Sequence, residues 1–92
     1  MTKFKDKTVL ITGGAAGIGK IMAQNILSLG AAKMIIWDIN QEDLQNTTNE
    51  FKASGFTIFP YQIDVANIDQ VKQSAQKVKD EVGMVDILIN NA

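Results

Sequence analysis

Apolar positions along this chain fall into two alternating rhythms. The short unbroken runs Thr8-Val9-Leu10-Ile11 and Met34-Ile35-Ile36-Trp37 read as strands buried on both faces, because a half-covered strand would alternate apolar with polar residues. Between the runs, apolar residues recur every three or four positions, the period of one helix face. Ile18, Met22, Ile26 and Leu29 share such a face, and Leu44 and Phe51 anchor a second. Ile68, Val71, Ala75, Val78 and Val82 form a third stripe, opposite a solvated face of Lys72, Gln73, Lys79 and Asp80. Gly30, Gly55 and Gly83 close the three helical stretches, at positions that favour a left-handed residue. Asn40 and Asn67 are placed to cap the second and third helices, with Gln70 at the reciprocal capping-box position.

The pattern predicts strands over 8–12, 33–38, 57–63 and 86–90, and helices over 17–29, 41–54 and 68–82. This β-α-β-α-β-α-β order implies an α/β fold with a parallel sheet covered by helices. Right-handed crossovers give the strand order 3-2-1-4, a Rossmann-type doubly wound sheet truncated after its fourth strand. The first two helices then cover one face and the third covers the other. Pro60 interrupts strand 3 and removes a ladder donor, which places that strand at a sheet edge. Trp37 reads as core.

Composition narrows the functional classes. The chain has 92 residues, one domain at most, and 46% of them are apolar, which argues against disorder. Nine basic and ten acidic residues leave a net charge of -1, with no electrostatic footprint for nucleic acid or an anionic membrane. The absence of Cys excludes disulfides and thiolate metal sites, and the absence of His removes the commonest neutral-pH acid–base group. No metal site and no membrane segment are expected, and the expected location is cytoplasmic.

The chemistry concentrates in Thr12-Gly13-Gly14-Ala15-Ala16-Gly17-Ile18-Gly19, between the first strand and the first helix. A glycine turn opening a helix presents free N–H groups and the positive end of the helix dipole to an anion, and Gly13, Gly17 and Gly19 let a phosphate approach the backbone. Two phosphate sites compete. Gly14-x-x-x-x-Gly19-Lys20 begins a P-loop, but Ile21 stands where a Ser or Thr must meet magnesium. A dinucleotide site instead requires an acid at the end of strand 2, about 20 residues beyond the turn, and Asp38 stands there. Its carboxylate accepts hydrogen bonds from ribose hydroxyls and repels a 2′-phosphate. Ala15, Ala16 and Ile39 supply no compensating cation, so NAD is expected in preference to NADP. Taken alone, Asp38 reads more readily as the start of a turn before Asn40; the glycine turn before it and the spacing make the functional reading the stronger one.

Asp64 after strand 3 and Asn90-Asn91 after strand 4 also fall at carboxyl ends of strands, where open α/β sheets bind ligands. With Thr12-Gly13-x-x-x-Gly17-Ile18-Gly19, Asp64-Val65 and Asp86-Ile87-Leu88-Ile89-Asn90-Asn91-Ala92, the chain resembles the amino-terminal half of a short-chain dehydrogenase/reductase. Trp37-Asp38-Ile39-Asn40 further resembles a branch of that family acting on steroids, retinoids and other lipophilic alcohols. The resemblance implies that Gly13, Gly17, Ile18 and Gly19 line the pyrophosphate and that Asp38, with Ile39, holds the adenosine ribose. It implies that Asp64 and Val65 meet the adenine, and that Asn90 and Asn91 brace strand 4 against the turn and border the cofactor. For Asp64 a turn or N-cap role is the alternative. Lys20 reads as a solvated first-turn residue, with a phosphate contact as the alternative.

The resemblance also implies hydride transfer between a nicotinamide and an alcohol or carbonyl, using a Ser and a Tyr-x-x-x-Lys pair. Tyr61 is the single tyrosine, it lies in predicted strand 3, and Val65 stands four positions later in place of Lys. No catalytic residue is therefore nominated, and the 92 residues are expected to bind cofactor without completing the chemistry. A stand-alone NAD-binding or sensing module and a non-binding scaffold are the alternatives. The uncovered edge of strand 4 is expected to give homo-oligomers or other self-association.

Overall fold

The structure is a computed structural model that describes residues 3–91, so Ala92 of the Asn-Asn-Ala motif lies outside the described residues. Its elements are β1 Thr8–Thr12, α1 Gly17–Ser28, β2 Lys33–Asp38, α2 Gln41–Ala53, β3 Ile58–Gln62, α3 Ile68–Glu81 and β4 Ile87–Asn90. The four strands form one parallel sheet in the order β3-β2-β1-β4. That is the expected Rossmann-type order, with Pro60 on an edge strand opposite Ile36.

The unbroken apolar runs are explained by burial on both faces. Val9, Ile11, Met34 and Ile36 point to one side and pack with Ala23, Ile26, Leu27, Leu44 and Phe51 of α1 and α2. Leu10, Ile35 and Trp37 point to the other side and pack with Ile63 and with Val78 of α3. In β4 the same alternation puts Ile87 and Ile89 against the α1/α2 core, while Leu88 on the opposite face is 64% exposed.

Two helix faces differ from expectation. In α1 the buried residues are Gly19, Ala23, Ile26 and Leu27, whereas Ile18 is 72% and Leu29 62% exposed. Ile26 and the half-buried Met22 face the core as expected, and the small residues Gly19 and Ala23 join them there, which lets the first turn of α1 approach the β1 turn closely. In α3 only Val78 is buried, Val71 and Val82 are half-buried, and Ile68 is 69% exposed. Val71, Val78 and Val82 of the stripe pack on the sheet, whereas Ile68 and Ala75 are exposed.

Capping also departs in one detail. Asn40 Oδ1 accepts from Asp43 N at 2.9 Å and Asn67 Oδ1 accepts from Gln70 N at 3.1 Å, as expected. Gln70 Oε1, however, accepts from Asp64 N at 2.9 Å rather than from Asn67 N, because Asn67 N already donates to Asp64 O. The result is a longer cap that ties the end of β3 to the start of α3.

Candidate functional site

The glycine turn crosses the carboxyl ends of the strands and is held from several sides. Gly13 N donates to Trp37 O at 2.7 Å, and Gly13 and Gly17 take positive φ values of 69° and 57°, a region costly for residues with a Cβ. Gly19 is needed for close approach, since a Cβ there would collide with Gly13 O and Asn91 Nδ2. Ala16 is the N-cap of α1 and provides no side-chain cap, and the first turn carries no acid. The helices α2 and α3 each begin with an Asn cap and an acidic first turn. The first amides of α1 therefore remain available to an anion.

Asp38 makes the turn contact that its local sequence suggested and a second contact that reaches the glycine turn. Its Oδ1 accepts from Asn40 N at 3.0 Å, which is the turn contact, and its Oδ2 accepts from Ala15 N at 3.1 Å, which reaches the glycine turn. Each carboxylate oxygen keeps a further lone pair for a ligand hydroxyl. Beside it lies a slot of about 140 Å³ between Gly13, Asp38-Ile39 and Asp64-Val65, with Trp37 and Ile63 completing its lining. Trp37 is buried, as expected for core, and its Nε1–H has no hydrogen-bond partner. Asp64 shapes the turn into α3, its Oδ1 accepting from Ala66 N at 2.9 Å, while Asn67 is the N-cap.

At the end of β4, Asn90 Oδ1 accepts from Thr12 Oγ1 at 3.0 Å, Asn91 N donates to that hydroxyl at 3.0 Å, and Asn91 Nδ2 donates to Gly13 O at 3.3 Å. Both asparagines thus join β4 to β1 and the turn. The structure brings Gly13, Gly17, Ile18, Gly19, Asp38, Ile39, Asp64, Val65, Asn90 and Asn91 to the same end of the sheet. Lys20 is not simply solvated, because its Nζ pairs with Glu50 Oε2 at 2.7 Å.

Two residues escaped the sequence reading. Thr47, 2% exposed, donates through Oγ1 to Ala15 O at 2.6 Å, and Glu50 holds Lys20. The available signal was position: Thr47 and Thr48 fill the helical face between Leu44 and Phe51, so a buried hydroxyl was implied there. Tyr61 is occupied elsewhere. Its hydroxyl donates to Glu81 Oε1 at 3.0 Å, and burial, reinforced by the hydrogen bond to Glu81 and that carboxylate's charge, pushes its pKa up to about 12.

A parallel sheet in this order, with an uncapped glycine turn at the crossover and an acid at the tip of β2, defines a dinucleotide-binding fold. The chain belongs to the short chain dehydrogenase family, whose model matches residues 7–92. It is 40% identical over 84 residues to estradiol 17-beta-dehydrogenase 11 of Macaca fascicularis, covering 91% of this chain and 28% of that relative. NAD+-bound xylitol dehydrogenase superposes with a TM-score of 0.90 at 28% identity, over 99% of this chain and 35% of the other. Gluconate 5-dehydrogenase of Burkholderia cenocepacia, in complex with NADP and tartrate, superposes with a TM-score of 0.86 at 35% identity, over 98% and 36%. The chain thus spans about a third of the length of the proteins it matches, and it carries the nucleotide-binding fold of an oxidoreductase family.

Proposed function

We propose that these residues hold NAD in preference to NADP, as the cofactor-binding part of an oxidoreductase. Bound there, the nicotinamide would accept or deliver the hydride exchanged with an alcohol or carbonyl substrate. The observation that carries the reading is the Asp38 carboxylate at the tip of β2, hydrogen-bonded to the turn and facing a slot without a cation in its lining. An acid in that position takes ribose hydroxyls and disfavours a 2′-phosphate.

The cradle is suited to a dinucleotide on three further counts. The space that a Gly19 Cβ would fill is closed by backbone, the α1 amides are uncapped, and the slot beside Asp38 is walled largely by apolar side chains. Gly13, Gly17, Ile18 and Gly19 would meet the pyrophosphate, Asp38 and Ile39 the adenosine ribose, Asp64 and Val65 the adenine, and Asn90 and Asn91 the cofactor border. The single tyrosine, Tyr61, is paired with Glu81, and no Tyr-x-x-x-Lys pair occurs in the sequence to exchange the alcohol proton. Binding and chemistry are therefore separable in this reading, and the purified chain binds cofactor without turning over alcohols.

The test is a titration followed through Trp37, the only tryptophan, which lines the slot. Saturable binding of NADH, at least about tenfold tighter than NADPH and lost in Asp38→Ala, is the expected result; tenfold corresponds to about 1.4 kcal/mol. Equal affinity for the two cofactors, or unchanged affinity in Asp38→Ala, sinks the assignment. Turnover of an alcohol by the 92-residue chain would refute the claim of incompleteness.

A further inference from the structure

We propose that Thr47 is a positioning residue of the glycine turn, holding it from α2 in the shape that accepts a pyrophosphate. The inference rests on the dinucleotide reading and adds to it a residue that belongs neither to the turn nor to the strand tips. Ala15, 2% exposed, sits at the centre of the turn, and both of its backbone polar groups are captured by side chains from other elements. Its N–H donates to Asp38 Oδ2 at 3.1 Å from the end of β2. Its carbonyl accepts from Thr47 Oγ1 at 2.6 Å from the middle of α2.

The capture of the carbonyl has a directional consequence. The peptide after Ala15 is trans, so fixing its C=O toward α2 turns the Ala16 N–H away from α2. Ala16 is also the N-cap of α1, so the residue that sets the helix start follows directly on the tethered peptide. One turn further along α2, Glu50 holds Lys20 in the first turn of α1. The two contacts clamp the glycine turn and the start of α1 against α2 at adjacent levels. The Glu50 contact is half-exposed and screened, whereas the Thr47 contact is buried, so the hydroxyl is the part of the clamp that fixes geometry.

The neighbouring residue supplies a control. Thr48 is 4% exposed on the same helix, but its Oγ1 has no hydrogen-bond partner. Thr47→Val and Thr48→Val are the same chemical change at adjacent buried sites, and only the first removes a bond to the turn. Thr47→Ser keeps the hydroxyl.

The experiment compares these three variants with the unaltered 92-residue chain, using NAD and adenosine as ligands followed by amide chemical shifts, and amide hydrogen exchange without ligand. Thr47→Val should weaken NAD about five-fold, the scale of one neutral hydrogen bond, and leave adenosine, which lacks phosphate, unchanged. Thr47→Ser should restore NAD affinity, and Thr48→Val should not lower it. Exchange across Gly14 to Gly19 should accelerate in Thr47→Val alone. Wild-type NAD affinity in Thr47→Val, equal loss of NAD and adenosine, or the same loss in Thr48→Val overturns the positioning role. An unaltered chain that binds neither ligand refutes the dinucleotide reading instead. Unchanged exchange across the turn refutes the role of Thr47 whatever the ligand result.

Discussion

Single residues in this chain are constrained by what lies a few ångströms away in other elements. Gly19 shows this most directly. It has no need of a left-handed backbone, yet a Cβ there would strike Gly13 O and Asn91 Nδ2. Gly19→Ala should therefore cost about 1–3 kcal/mol through overpacking, read as a lower urea midpoint, and should also weaken cofactor binding. Tyr61 offers a cleaner readout because it is the only tyrosine. Its pKa is pushed from 10.0 up to about 12, first by burial and then by Glu81. The folded value lies above the unfolded one, so this contribution to stability is complete below pH 10 and is lost as pH rises through about 12. An ultraviolet titration should place the tyrosinate midpoint near 12 in the folded chain and lower in Glu81→Gln. A midpoint at the ordinary value in the native protein would contradict the Tyr61–Glu81 contact.

At the scale of elements, equal sequence regularity hides unequal packing. The polar helix α2 has few apolar residues, yet Leu44, Thr47, Thr48 and Phe51 are all buried. The better stripe on α3 buries Val78 alone. Phe51→Ala should accordingly cost about 3–5 kcal/mol, enough to unfold a small domain, whereas Ile68→Ser, at a 69% exposed position, should stay within about 0.5 kcal/mol of neutral. Chemical denaturation of the two variants would check this, and comparable losses would mean that α3 is covered in solution by a surface absent from the described fold. The strand assignments were legible because a run such as Met34-Ile35-Ile36-Trp37 suits a strand with apolar layers on both sides. The buried face of α1 was legible only in part, at Met22 and Ile26, because Gly19 and Ala23 carry little hydrophobic signal and yet are what permits the close approach.

For the whole molecule, the sheet formed by the described residues has two open edges of different character. The β3 edge carries Pro60, which lacks an N–H and blunts further pairing. The outer edge of β4 has no such guard and is flanked by Leu88, 64% exposed, with Met84, 85% exposed, just before it. We therefore expect the 92-residue chain to self-associate through β4, seen as concentration-dependent sedimentation that Leu88→Lys reduces. A concentration-independent monomer with a high melting temperature would sink this expectation. Among the described residues no helix is long and apolar enough to cross a membrane.

The sequence alone determined the element order, the parallel topology, the glycine turn and the acid at the tip of β2. Each of these is encoded locally, in periodicity, in glycines that end helices, or in a spacing set by one β-α-β unit. Only the tertiary structure decided which stripes are covered, that Asp38 serves the local turn and the glycine turn at once, and that Thr47 reaches Ala15 across 32 positions. Those outcomes depend on how closely α1 and α2 approach the sheet. That approach is set jointly by small residues and by buried hydrogen bonds between elements distant in the chain, and neither leaves a periodic signal in the order of the residues.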